Sequence, residues 1–108
     1  MSVLQAADRS ALFGSLSGFK RDILWVLRED DAQKGLAIKA ALEEYYNEEV
    51  NHSRVYQNLD YLINDGLVER HERDLRTNEY VLTDEAHELL NERLRWLSEV
   101  TDGSDLAL

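Results

Sequence analysis

The sequence predicts an α+β fold, mostly α, in which three short helices are followed by a β-hairpin and one long terminal helix. Three observations predict it. Apolar residues recur every three or four positions through most of the chain. Two strand-like runs, Leu67–Arg73 and Glu79–Leu82, lie close together and are joined by a polar stretch. At 108 residues the chain suffices for one core and is short for two.

Residues 1–14 carry Val3, Leu4, Leu12 and Phe13 without a firm period, and an extended arm and a short helix both remain open. From Ser17, a suitable N-cap, to about Glu29, the residues Phe19, Ile23, Val26 and Leu27 share one helical face. Asp30 to Gly35 reads as a turn. Ile38, Ala41, Leu42 and Tyr45 then form a second stripe that ends near Tyr46. After a connector from Asn47 to Val50, Asn51 caps a third helix whose inward residues are Val55, Leu59, Leu62 and Ile63. Gly66, just past Asp65, suits a left-handed stop. The polar residues Asp74 to Asn78 connect the two strands of the hairpin.

Thr83 caps the last helix, whose first turn holds Asp84 and Glu85, where the helix dipole favours negative charge. Its apolar stripe runs through Ala86, Leu90, Leu94, Leu97 and Val100, with Leu89 and Trp96 flanking it. The expected organisation is an N-terminal segment (1–14), a winged helix-turn-helix unit (15–83), a dimerisation helix (84–101) and a flexible tail (102–108). No internal repeat or low-complexity segment is found.

Composition narrows the function classes. Without cysteine the chain has no disulfide, no thiolate metal site and no thiol redox sensor. No apolar run approaches the roughly 18 residues of a membrane helix, and no signal-peptide pattern opens the chain, so a cytoplasmic protein is expected. His52, His71 and His87 fall on different elements without short ligand spacing, and no metal or cofactor is expected. No nucleophile motif, phosphate loop or glycine fingerprint points to an enzyme.

Helix, turn, helix, hairpin and terminal helix in this order match the winged helix-turn-helix plan, in which the second helix of the pair enters the major groove. With Val55, Leu59 and Leu62 inward, a rotation of about 100° per residue sends Ser53, Arg54, Gln57 and Tyr61 outward or to the flank. Arginine forks onto guanine, glutamine onto adenine, and hydroxyls onto either partner. Asp60 and Asn64 share the outward face, which confines reading to its N-terminal half. His52 stands at the start of that half. Tyr56, beside the apolar stripe, is open to a core-edge or a phosphate-binding role.

The hairpin concentrates Arg70, Arg73 and Arg76, followed by Thr77, as a wing needs for phosphate and minor-groove contact. Pairing of Arg70 and Arg73 with Glu69, Glu72 or Glu79 is the competing use, and Arg76 at the tip is the least exposed to that competition. On the terminal helix, Leu89, Leu90, Leu94, Trp96, Leu97 and Val100 exceed what a small core covers, so a symmetric homodimer is expected. Packing of this helix back on the first one is the alternative.

From Ser53 to Leu90 the chain resembles the PadR family of winged-helix transcriptional regulators. The resemblance rests on Ser53-Arg54-Val55-Tyr56-Gln57-Asn58-Leu59, on Leu62 with Asp65-Gly66-Leu67-Val68, and on Tyr80-Val81-Leu82-Thr83-Asp84-Glu85. Asp74-Leu75-Arg76 is similar to the Asp-x-Arg wing of the MarR family. Gln57, Ser53 and Ala86 depart from residues common in these families (Pro, Gly and Gly). The resemblance implies a homodimer built on the terminal helix, with two recognition helices in successive major grooves of double-stranded DNA and control of transcription.

Against this stands the charge. Net −10 is the reverse of the basic surface phosphates usually meet. The excess is heaviest in residues 84–108, with seven acids and two bases, away from the expected DNA elements. Two explanations are open: a protein-interaction module that meets a basic partner and no DNA, or adaptation to a cytoplasm of very high salt. The second, with lysine scarce among the bases, makes the chain similar to a haloarchaeal PadR-like protein. Binding would then recruit potassium or other cations between side chains such as Asp60 or Glu69 and the phosphates.

Overall fold

Polar side chains at the helix starts set the frame of the fold. In the computed structural model, which describes residues 5–101, Ser17 Oγ accepts from the Lys20 amide at 3.2 Å and Asn51 Oδ1 from the Arg54 amide at 3.0 Å. Thr83 Oγ1 accepts from the Ala86 amide at 3.1 Å and also donates to the Gly66 carbonyl at 2.8 Å. One hydroxyl thus starts the last helix and ties it to the stop of an earlier one.

The elements are α1 (Ala6–Ser15), α2 (Gly18–Glu29), β1 (Gln33–Lys34), α3 (Gly35–Tyr46), α4 (His52–Asn64), β2 (Val68–Asp74), β3 (Thr77–Leu82) and α5 (Asp84–Val100). The N-terminal segment is helical from Ala6. Residues 1–4 and the expected tail at 102–108 lie outside the described residues. The mostly helical body with a small antiparallel sheet is the winged-helix fold the element order predicts.

Three details differ from the sequence reading. The stretch between α2 and α3 contains a strand, β1, and the sheet order is β1-β3-β2, with Gln33 opposite Tyr80 and Lys34 opposite Glu79. The cause is nonlocal: the Gln33 side chain is buried and donates from Nε2 to the carbonyls of Val26 (2.7 Å) and Asp30 (2.6 Å), closing the end of α2. The hairpin connection is shorter than expected, with Leu75 and Arg76 alone between the strands and a bulge between Glu72 and Asp74. Asp74 Oδ1 accepts from the Arg76 amide at 2.9 Å and so tightens the turn. Tyr45 is 80% exposed although it keeps the phase of the α3 stripe, because its ring lies in an open groove with Asp22, Trp25 and Leu42.

The core joins all five helices and the sheet. Ile23, Leu24, Leu27, Ile38, Leu42, Val55, Leu59, Leu62, Leu67, Val68, Leu89 and Leu90 have almost no exposed surface. Truncating Leu59 or Leu62 to alanine would cost about 2–5 kcal/mol and release α4 from the position on which its outer face depends. Gly66 takes φ +77° at the end of α4, where a side chain would be strained, and the chain turns there into β2.

Candidate nucleic-acid interface

Burial of Val55, Leu59 and Leu62 at 0% exposure leaves Ser53, Arg54, Gln57, Asp60, Tyr61 and Asn64 on the outer face of α4. Arg54 is not free on that face. Its guanidinium stacks on the Phe19 ring, 3.8 Å from the centroid, and its carbonyl accepts from Asn58 Nδ2 at 2.7 Å. A guanidinium held by its face on an aromatic ring keeps its N–H edge for a hydrogen-bonding partner. Tyr61 is likewise covered on one side, by Lys20 Nζ at 4.6 Å from its ring. Both cation–ring pairs attach α4 to the N-terminal half of α2.

Phe19 in turn packs with Tyr46, centroids 6.3 Å apart, and the Tyr46 hydroxyl donates to Asp22 Oδ2 at 2.5 Å. Burial, with Asp22 adding to it, pushes the Tyr46 hydroxyl well above the ordinary phenol range and keeps it a neutral donor.

Tyr56 is half-buried, at the core's edge. His52 lies beside its ring at 4.7 Å and Tyr80 meets it edge-on at 6.4 Å. Its hydroxyl reaches over Gly35, where an added Cβ would overlap the hydroxyl and ring atoms. The absence of a side chain at Gly35 is therefore what lets Tyr56 reach the start of α3. Tyr56, Arg76 and Thr77 line a single cleft of about 350 Å³ with Lys34, Gly35, Leu36, Asn78 and Tyr80. The cleft joins α4, the N-terminus of α3 and the wing. Lys34 and Leu36 are absent from the sequence-based expectation, because the pairing of β1 with β3 is what brings them beside the wing.

The wing is less basic than its three arginines imply. Glu69, Glu72, Asp74 and Glu79 share the two strands with Arg70 and Arg73, and Arg76 stands in the turn between them. Arg73 Nε pairs with Glu79 Oε1 at 3.1 Å, the competing use anticipated for it, whereas Arg70 pairs at 3.5 Å with Asp60 of α4. The Arg70–Asp60 pair is solvent-exposed, and in the other pair Arg73 is exposed while Glu79 is partly covered; surface pairs are worth at most about 1 kcal/mol, so phosphate could displace the exposed arginines at little cost. Arg76 has no ion pair among the described residues. His71 Nε2 lies 3.2 Å from Glu69 Oε1, and no cluster of three metal-ligating side chains occurs among the described residues.

On α5 the expected interface residues divide. Leu89 and Leu90 are buried inside the chain's own core, and α1 packs against this helix, with Arg9 Nη2 2.6 Å from Glu92 Oε1. Leu94 and Leu97 are half-buried, and Trp96 (49%) and Val100 (63%) are exposed. Arg93 lies against both Phe13 and Trp96, at 4.8 and 4.4 Å from the ring centroids. The apolar surface left over is therefore the C-terminal half of α5.

A family model described as transcriptional regulator PadR-like matches residues 23–92, from α2 to the middle of α5. The chain belongs to the PadR-like family. Solved structures similar to this PadR-like chain include H. salinarum RosR, a haloarchaeal PadR-like regulator. RosR grown from NaBr is 54% identical, with 79% of this chain and 76% of that chain covered and a TM-score of 0.75. RosR in its S4 complex is 51% identical, with coverage of 85% and 79% and a TM-score of 0.81. An E. coli MarR mutant complexed with operator DNA shares the fold at 19% identity and a TM-score of 0.63, covering 77% of this chain and 56% of that one. No curated protein sequence matches. The RosR likeness supports a halophilic origin for the acidic composition.

Proposed function

We propose that this PadR-like chain is a non-enzymatic homodimer of a high-salt cytoplasm that controls transcription by reading a roughly palindromic site in double-stranded DNA. The observation that carries the reading is the stacked Arg54, exposed at the start of a capped α4 whose other face is locked in the core. Ser53, Arg54 and Gln57 read base edges; His52, Tyr56 and Tyr61 flank them. Arg76 and Thr77, with Lys34 across the cleft, hold phosphate, and Arg70 and Arg73 join after exchanging their carboxylate partners. Leu94, Trp96, Leu97 and Val100 meet their counterparts across a two-fold axis, with Leu89 and Leu90 supporting them from within each protomer. That axis places two copies of α4 about one DNA turn apart.

Net −10 makes salt the deciding variable. Ordinary binders release counterions and weaken steeply as salt rises. Here potassium or other cations bridge carboxylates such as Asp60 and Glu69 to phosphate, so that binding takes ions up. Anisotropy titrations of promoter fragments across potassium chloride test this directly. Affinity that persists or rises at molar salt is expected; a steep fall there refutes ion uptake.

The acid excess also favours a second reading, a protein-interaction module. Its mark in the same titrations is an absence of duplex binding at every salt concentration.

A further inference from the structure

We propose that the groove between α2 and α3 is a binding site for an organic cation with an apolar body, of the quaternary-ammonium class. The groove has a volume of about 360 Å³ and is lined by Asp22, Trp25, Val26, Glu29, Ala41, Leu42 and Tyr45. That volume falls within the roughly 300–1,000 Å³ common for small-molecule sites.

Its chemistry selects the ligand. Trp25 and Tyr45 supply π faces, which attract cations through the ring quadrupole, and indole is the strongest of the aromatic platforms. Asp22 and Glu29 add two carboxylates, and no lysine, arginine or histidine lines the groove. An anion would meet uncompensated carboxylates, and a neutral ligand would leave their attraction unused. Val26, Ala41 and Leu42 cover the floor with apolar surface, which suits alkyl or aryl substituents and disfavours a small hydrated metal ion. Trp25 already serves as a cation platform within the chain: the Arg28 guanidinium lies 5.9 Å from its ring centroid, in the neighbouring cleft shared by Trp25, Glu29 and His87. Tyr45 touches the Tyr46 ring, 5.8 Å between centroids, yet stays 80% exposed at the end of α3, so most of its surface is open to a ligand.

The groove is linked to the proposed reading helix through a chain of contacts. Asp22 accepts from Tyr46, Tyr46 packs on Phe19, and Phe19 carries Arg54. A cation drawn to Asp22 competes with the Tyr46 hydroxyl for that carboxylate and so acts two ring contacts away from Arg54. This coupling rests on the proposed DNA reading; occupation of the groove does not.

Binding is therefore tested on the DNA-free protein in molar potassium chloride, with benzyltrimethylammonium, its neutral isostere neopentylbenzene, and benzenesulfonate as the anionic counterpart. Amide and indole NMR shifts locate each probe. The ammonium probe alone should perturb Trp25, Leu42 and Tyr45, and Tyr45→Ala and Glu29→Gln should each weaken it about fivefold or more without lowering the melting temperature. Equal binding of the neutral isostere overturns the charge argument. Shifts confined to Trp96, or affinity unchanged in both variants, overturn the site. Loss of DNA binding in the full protein without any change in these shifts would sink the DNA reading and leave the groove intact.

Discussion

Replacing Phe19 by leucine isolates what the aromatic support of Arg54 contributes to recognition. Phe19 is 6% exposed, and the Arg54 guanidinium lies 3.8 Å from its ring centroid. Leucine keeps the apolar contact with the core but removes the π face. The stack itself is worth about 0.5–1 kcal/mol at an exposed site. A freed arginine must be immobilised again on binding, at about 0.5–1.5 kcal/mol for a rotamer-rich side chain. Phe19→Leu should therefore weaken operator binding by about 2- to 12-fold. Arg54→Ala, which removes the reading group, should cost about 1–3 kcal/mol and relax preference at one base position. The double variant should bind no more weakly than Arg54→Ala alone, since the ring acts only through the arginine. Fluorescence anisotropy with operator and scrambled duplexes at fixed molar salt measures all four proteins, with thermal melts establishing that each is folded. A Phe19→Leu penalty that persists in full on the Arg54→Ala background refutes the reasoning and assigns the effect to general loosening of α2.

Arg76→Ala should weaken binding about uniformly across DNA sequences and reduce the salt slope by about one ion, with no change in melting temperature; a base-specific effect would move Arg76 from phosphate to base contact. Gly35→Ala should destabilise the fold by about 1–3 kcal/mol, because its Cβ overlaps the Tyr56 ring and hydroxyl, and a melt identical to the parent's would show that Tyr56 has room to move aside. Trp96→Glu should shift the chain towards monomer in sedimentation while leaving the core residues Leu89 and Leu90 packed; a dimer of unchanged strength would place the interface elsewhere. The Arg76 backbone amide, followed by Thr77, holds the Asp74 carboxyl below the usual carboxylate range. A depressed pKa means the turn is fully supported above that range and loses support as pH falls through Asp74's own folded value. NMR titration should find Asp74 protonating at lower pH than a free aspartate, together with shifts at the Arg76 amide; titration at or above the ordinary value would contradict the turn geometry.

The parts of this molecule legible in its sequence are those governed by local rules. Ser17, Asn51 and Thr83 could be recognised as caps because a cap depends on an amide three residues away, and Gly66 because a left-handed stop needs its missing Cβ. The outer face of α4 followed from periodicity. The parts that were not legible depend on residues far apart in the chain. Gln33 looked like turn material, since its burial depends on carbonyls at the end of α2 and on pairing with Tyr80. The exposure of Tyr45 depends on the open groove that α2 and α3 leave between them, and the partner of Arg70 proved to be Asp60 on another element. Arg54 was assigned to the right face, but its seat on Phe19 joins positions 35 residues apart in sequence, which no helical period encodes. The cleft residues Lys34 and Leu36 were missed for the same reason.

The buried Gln33 amide has a mechanical consequence. It fastens β1 to the end of α2 while β1 pairs with β3, so the inner edge of the wing is bolted to the helical body. The brace ends at Glu79, so the hairpin beyond it extends without support from β1. In the proposed dimer, wings fixed at their base in this way would act like a caliper of set gauge: an extra base pair between half-sites would have to be absorbed by bending of the duplex or by sliding of α5 across the two-fold axis.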